Sequence, residues 1–278
     1  MSKELDKKVV LITGSSSGIG FLSVLKFARQ GFTTYASTRN LDSDVIKELN
    51  SIAKKENLSI KPIHINLLNH NSVESAIEKI IKEDERIDIL INNAGYGYFS
   101  AVEDINSEEY LKQFKTNVTG VIKTIQEVLP HMRSKGKGLI VNVSSIMGFS
   151  TAPLNAPYSS SKYALECISE TLAFEVKPFG IDVVIVEPGN FHTKFIQNAH
   201  FQEHSEDSPY QKLYRRHTTK DASGRDPKLI ADLFLKISNT KNPKLRYMVG
   251  NEVFIRKLLH TLLIDNLWIR FLRLFYKW

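Results

Sequence analysis

Tyr158 and Lys162 stand four positions apart in the run Tyr158-Ser159-Ser160-Ser161-Lys162, a spacing that puts both side chains on one face of a helix. A free phenol titrates at about pH 10 and is a poor proton shuttle near neutrality. A neighbouring ammonium group favours the phenolate and brings the phenol towards a working range, so the pair is a candidate for general acid–base chemistry. A tyrosine and a lysine that merely share a helix face are the common alternative, and only neighbouring signals separate the two readings. Val141-Asn142-Val143-Ser144-Ser145 ends an apolar run in hydroxyls, Asn92-Asn93-Ala94-Gly95 ends another in amides and glycine, and Pro188-Gly189 ends a third. Strands that finish in polar or glycine residues on one side of a parallel sheet build a ligand crevice.

A second constellation suits an anion. Thr13-Gly14-Ser15-Ser16-Ser17-Gly18-Ile19-Gly20 follows a short apolar run and opens a helical pattern. A dinucleotide pyrophosphate needs positions without side chains to approach the backbone, and a helix N-terminus offers it unpaired N–H groups. In this reading Gly14 makes the tight turn, Gly18 permits close approach and Gly20 lets the helix pack on the strand; a plain flexible loop is the alternative. At the end of the next apolar run, Ser37-Thr38-Arg39-Asn40 offers no carboxylate for ribose hydroxyls. Arg39 offers a planar donor fork suited to phosphate, which favours NADP(H) over NAD(H) unless Arg39 is an ordinary surface arginine.

Elements that position these groups follow from periodicity. Short β-branched runs alternate with longer helical patterns, the signal of crossover units feeding a parallel sheet. Strands are predicted at 9–13, 33–37, 60–65, 87–91, 139–143, 182–187 and 246–249, and helices at 18–30, 44–54, 71–85, 107–135, 158–177 and 227–237. Ile87-Asp88-Ile89-Leu90-Ile91 is apolar enough for the middle of a sheet covered on both faces. The fold class is α/β: a doubly wound, mostly parallel seven-stranded Rossmann-type sheet with helices on both faces. Residues 1–250 form a single catalytic domain, in which the polar stretch at about 190–225 reads as a surface excursion over the site.

With 42% hydrophobic and 24% charged residues, the 278-residue chain has material for a substantial core, which argues against disorder. The formal charge of +7 is partly local: residues 251–278 carry Arg256, Lys257, Arg270, Arg273 and Lys277 against Glu252 and Asp265. No basic groove-binding helix or zinc-ligand cluster accompanies it, so nucleic acid and metal are set aside. This basic, amphipathic tail is interrupted by charge too often to span a membrane. It either packs on the active-site rim or a partner subunit, or lies on a membrane surface. Cys167, the single cysteine, reads as a buried structural thiol. Together with a polar start at Met1 to Lys8 it points to the cytoplasm.

The glycine-rich turn, Asn92 to Gly95, Asn117, the serine pair, Tyr158 with Lys162, and Pro188-Gly189 through Thr193 occur in an order that resembles a short-chain dehydrogenase/reductase of the shorter-chain branch. The resemblance runs to about Gly250. It is similar in particular to 17β-hydroxysteroid and retinol dehydrogenase-like members, including the Arg246-Tyr247 segment with Gly250.

That resemblance implies an oxidoreductase moving a hydride between nicotinamide and a carbonyl or secondary alcohol, on a lipophilic, steroid-, retinoid- or keto-lipid-like substrate. It implies Tyr158 as the general acid in reduction and the base in oxidation, with Lys162 lowering its pKa and bonding the nicotinamide ribose. Ser145 rather than Ser144 is implied as the substrate-positioning hydroxyl, because the family places that serine thirteen positions before its tyrosine and 158 − 145 = 13. Asn117 would hold a water linking Lys162 to solvent. The cofactor would meet Gly14, Ser16, Ser17, Gly18, Ile19, Gly20 and Arg39, then Asn93, Ala94, Gly95, Pro188 and Gly189, with Thr193 at the carboxamide. Asn66 and Leu67 would face the adenine, Asn66 standing where the family usually has aspartate and keeping one donor and one acceptor. A homo-oligomer, dimer or tetramer, is also implied. Rival readings are a catalytically silent NADP(H)-binding regulator, a membrane-associated scaffold, and a sugar-nucleotide epimerase relative, the last disfavoured by the glycine spacing and by the want of a sizeable second lobe.

Overall fold

The computed structural model describes residues 7–204, 206–218, 224–263 and 265–276. Seven strands form one sheet: Val9–Ile12 (β1), Thr33–Thr38 (β2), Ile60–His64 (β3), Ile89–Asn92 (β4), Gly138–Val143 (β6), Ile181–Pro188 (β7) and Arg246–Val249 (β9). Between β4 and β6 lies the short strand Tyr98–Phe99 (β5), which pairs with His200–Phe201 (β8) apart from the main sheet. The main order is β3-β2-β1-β4-β6-β7-β9, and each adjacent pair is parallel. The sheet is therefore wholly parallel, not mostly so.

The central strands are buried on both faces because each contributes alternate side chains to two cores. Val9 and Leu11 of β1, Leu90 of β4 and Ile140 of β6 point into one apolar cluster. Val10, Ile12, Ile89, Ile91 and Val141 point into the other. The first cluster is closed by His70–Asp84 (α3), Gly120–Ser134 (α5) and Ala156–Val176 (α6); the second by Gly18–Arg29 (α1), Asp44–Glu56 (α2) and Lys228–Ser238 (α8). The chain leaves β1 towards β2 on one side and returns to β4 on the other, so a crevice opens at the carboxyl ends of β1 and β4.

A buried amide ladder ties the layers beneath that crevice. Thr124 Oγ1 donates to Asn92 Oδ1 (2.7 Å), Asn92 Nδ2 to Asn142 Oδ1 (2.9 Å) and Asn142 Nδ2 to Ser169 Oγ (2.8 Å), linking α5, β4, β6 and α6. Each buried polar group has its partner, so the ladder fixes relative position without leaving an uncompensated donor.

Several expectations change. The helix predicted over 107–135 is broken: Ser107–Phe114 (α4) passes through a π turn at Lys115–Thr119 before α5 begins. A π turn adds a residue to the helical circuit and re-aims the side chains it carries. Asn106 caps α4, its Oδ1 accepting from the N–H groups of Glu108 and Glu109. The excursion at 190–225 carries β8 and the helix Gln211–Thr218 (α7). Cys167 is exposed rather than buried, because the inward face of α6 at this level is taken by Leu165, Glu166 and Ser169.

The tail forms Asn251–Leu262 (α9) and Asp265–Tyr276 (α10). Val253 packs on Ile146 and Phe149, while Trp268, Leu272 and Tyr276 pack around Ala152. Arg256 Nε donates to Ser150 Oγ (2.6 Å). The tail thus rests on the segment that follows Ser145. Its outer faces expose Phe254, Leu258, Leu262, Leu267 and Leu274, and no described helix is long and apolar enough to cross a membrane.

Candidate active site

At the mouth of the crevice the glycine turn is locked by its neighbours. Gly14 has a φ of +69°, and a Cβ there would lie 2.7 Å from the Ala94 Cα; glycine meets both demands. A Cβ at Gly20 would collide with the Gly14 carbonyl and the Asn93 side chain. Asn93 itself clamps the turn, donating from Nδ2 to the carbonyls of Thr13 (3.0 Å) and Gly14 (3.1 Å), while Thr13 Oγ1 accepts from the N–H groups of Asn93 and Ala94. The N-terminus of α1 is left facing the crevice, with Ser17 at its cap position making no side-chain cap bond.

The cleft beside this turn has a volume of about 590 Å³ and is lined by Gly14, Ser16, Ser17, Gly18, Ile19, Arg39, Asn66, Leu67, Asn93, Ala94, Gly95 and Thr193 among the predicted residues. Arg39 is exposed at the end of β2 and makes no hydrogen bond or ion pair among the described residues. Asn66 is held by its own turn, Oδ1 accepting from the Leu68 N–H at 3.1 Å. Unpaired helix N–H groups, a glycine cradle and a guanidinium with no protein partner fit an anionic dinucleotide. Gly20 lies behind the turn, outside the lining. Pro188 and Gly189 also stand away from it: the Gly189 N–H donates to the Val249 carbonyl (2.9 Å), and its Cα faces Glu252.

Sequence reasoning missed Glu109, Lys112 and Thr116, which also line the cleft, beside Tyr96 of the β4–α4 connection. They come from α4 and the π turn, and nothing in their local pattern marks them. Tyr96 has a buried hydroxyl without a hydrogen-bond partner, and burial pushes it up to about 12, with Glu109 adding to the rise and Arg39 opposing it.

Deeper in, three groups converge from β6 and α6. Ser145 leaves the end of β6, and its Oγ accepts from the Met147 N–H (3.1 Å), which fixes the rotamer through the short turn Ile146–Gly148. Tyr158 lies in the first turn of α6, 7% exposed, beside Ser145. Lys162, one turn on, is 5% exposed and donates from Nζ to the Val143 carbonyl at 2.8 Å. Its Nζ is 5.8 Å from the centre of the Tyr158 ring. Burial pushes Tyr158 up to about 12 against the opposing influence of the Ser145 hydroxyl, and pushes Lys162 down to about 8 against Glu166. The expected downward pull of Lys162 on the phenol is therefore outweighed here: desolvation disfavours both charged forms.

Asn117 sits in the π turn, fully buried. Its Oδ1 accepts from the Tyr96 N–H (3.1 Å), and its Nδ2 donates to the Tyr96 carbonyl (2.9 Å) and Ser161 Oγ (3.1 Å). A Cβ at Gly95 would lie 3.0 Å from Asn117 Oδ1 and 3.7 Å from Lys162 Nζ, so the two side chains approach each other across Gly95.

Aromatic side chains roof the phenol. Phe195 lies 5.4 Å and Phe99 5.9 Å from the Tyr158 ring, and Phe201 stacks on Phe99 at 5.2 Å. The β5–β8 pairing holds this roof down, with Tyr98 Oη donating to Gln202 Oε1 (2.6 Å). Phe149 belongs to the contact with α9, and Phe191 packs against the main core.

This geometry, a nucleotide cleft at the switch point of a doubly wound sheet with a Ser-Tyr-Lys set beside it, defines a nicotinamide-dependent oxidoreductase of the Rossmann type. The family model described as short chain dehydrogenase matches residues 8–204. Curated relatives include an uncharacterized oxidoreductase, YusZ, of Bacillus subtilis, 35% identical over 95% of this chain and 96% of the relative. A 3-ketodihydrosphingosine reductase of Bacteroides thetaiotaomicron is 35% identical over 98% of this chain and 99% of its own. A short-chain dehydrogenase from Streptomyces avermitilis superposes with a TM-score of 0.81 at 28% identity, covering 92% of this chain and 93% of that one. The chain belongs to the short-chain dehydrogenase/reductase family.

Proposed function

We propose that the chain is an NADP(H)-dependent oxidoreductase acting on a lipophilic carbonyl or secondary alcohol, with Tyr158 as general acid in reduction and general base in oxidation. The observation that carries the reading is Tyr158 and the buried Lys162 amine on one face of α6, beside Ser145 and next to Phe195, which lines a cleft that presents Arg39 and no carboxylate from β2. When bound, the nicotinamide supplies the hydride. The protein's residues do the rest: Gly14 to Ile19 and Arg39 hold phosphate with Gly20 packed behind the turn, Asn66 and Leu67 meet the adenine, and Asn93, Ala94, Gly95 and Thr193 frame the inner half. Ser145 orients the substrate oxygen, Tyr158 carries its proton, Lys162 supports the phenol, and Asn117 holds a water towards Lys162.

Support for a lipophilic substrate comes from the Phe99, Phe195 and Phe201 roof and from the relative named as a 3-ketodihydrosphingosine reductase. In this reading residues 1–250 are the catalytic domain. The tail both packs inward and lies against a membrane surface, its exposed Phe254, Leu258 and Leu274 accompanied by Arg270 and Arg273. The protein works in the cytoplasm as a homo-oligomer.

The test is Tyr158→Phe assayed with NADPH and a panel of hydrophobic ketones. Turnover is expected to fall by about 10²–10⁴ with NADPH binding retained; near-normal turnover refutes the mechanism. Arg39→Ala is expected to weaken NADPH while leaving NADH little changed, and an unaltered preference refutes the cofactor assignment. Flotation with anionic vesicles, with and without residues 251–278, tests the membrane contact.

A further inference from the structure

One helical turn beyond Lys162 on α6 stands Glu166, 7% exposed, and against it from the end of β7 stands Glu187, 2% exposed. Buried carboxylates are costly unless charge or a donor meets their oxygens. Arg246 on β9 supplies part of this: its Nε lies 3.1 Å from Glu166 Oε2 and 3.8 Å from Glu187 Oε1, and its Nη2 reaches Glu170 at the surface. One guanidinium thus serves three carboxylates. Lys162 Nζ is committed to the Val143 carbonyl, and Glu166 Oε1 is left buried with no donor. Two ionised carboxylates in contact repel each other strongly in such surroundings. A carboxyl–carboxylate pair does not, because a proton on Glu187 becomes the donor that Glu166 Oε1 lacks.

We propose that Glu166 and Glu187 share one proton beneath the active site, and that their negative charge holds Lys162 in its ammonium form, making the pair positioning residues for proton transfer at Tyr158. The groups facing them are Lys162 and Glu170 on α6, Arg246 on β9 and Lys257 on α9. Ser144, the neighbour of Ser145, borders the same cluster: a Cβ at Gly148 would lie 3.1 Å from Glu166 Oε1 and collide with Ser144 Oγ. Burial and Glu166 raise Glu187 to about 7, while Glu166 opposes the fall of Lys162 to about 8. As pH rises, Glu187 gives up its proton just before Lys162 would, and the added negative charge keeps the ammonium form to higher pH.

The inference rests on the Tyr158–Lys162 reading, and the experiment separates the two. kcat of the full chain with NADPH is measured across roughly pH 6 to 10 for wild type, Glu166→Gln and Glu187→Gln, alongside thermal unfolding and NADPH affinity. Glu166→Gln is expected to move the alkaline limb down by about one pH unit, a tenfold loss of rate on that limb. Glu187→Gln, which imitates the protonated acid, is expected to move it less and to keep the rate near pH 7 within about twofold. In wild type labelled with ¹³C at glutamate carboxyls, one signal is expected to titrate at about 7 and to vanish in Glu187→Gln. A folded, NADPH-binding Glu166→Gln with an unmoved limb overturns the coupling. Glutamate signals that all titrate below about pH 5.5 overturn the shared proton, whether or not either variant folds. If wild type binds NADPH and reduces nothing, the catalytic reading fails while the carboxyl titration still decides the pair.

Discussion

Replacing Lys162 with methionine should make the protein more stable and far less active. Burial pushes the amine from 10.5 to about 8, so carrying its charge in the folded state at pH 7 costs roughly 3 kcal/mol relative to the unfolded chain. Methionine removes that cost and keeps the apolar stem, but the buried Val143 carbonyl loses its donor, which costs about 1–3 kcal/mol. The net gain is about 0–2 kcal/mol, or up to about 4 °C in Tm for a chain of this length. Between about pH 8 and 10.5 the unfolded chain binds the extra proton, so the penalty on the wild type is fully present below about pH 8 and relieved as pH climbs through that window. The variant's advantage in Tm should accordingly be greatest at pH 7 and turn into a deficit towards pH 10, where the lost bond to the Val143 carbonyl outweighs the remaining penalty on the wild type. Scanning calorimetry over that range, with NADPH turnover measured on the same samples, reads both effects. A variant that melts lower at pH 7, or a gap indifferent to pH, would show that the amine is not carrying a desolvated charge.

Gly20→Ala should weaken NADPH binding at least tenfold and lower stability by about 1–3 kcal/mol, because the added methyl meets the Gly14 carbonyl and the Asn93 amide that shape the phosphate turn; titration of NADPH fluorescence and a urea melt check both. Asn142→Ala should cost about 2–3 kcal/mol by cutting the amide ladder and stranding Asn92 and Ser169. A urea midpoint within error of wild type would show that the ladder carries no weight.

Much of the fold was legible because its strands are buried on both faces: Val9 to Ile12 and Ile89 to Ile91 are uninterrupted apolar runs, and the intervening helices show the longer period. The glycine turn was legible because its backbone demands exclude other residues at Gly14 and Gly20. The break between α4 and α5 was not, since a π turn carries almost the same apolar period as the helix around it. Cys167 was misplaced because a one-residue error in helix phase turns a side chain outward. Glu109 and Lys112 entered the cleft unannounced, brought there by the path of the chain after β4.

Residue order alone determined the chemistry on offer: a phenol and an amine one helical turn apart, a glycine-rich turn opening a helix, and Arg39 with no carboxylate beside it after β2. Which of these groups meet, and in what charge state, was decided by folding. The sheet order sets β4 beside β1, which brings Asn93 to the glycine turn, and the packing of α6 at the end of β6 brings Tyr158 to Ser145. Burial then raises the phenol and lowers the amine, because desolvation depends on everything packed around a group and not on its neighbours in the chain.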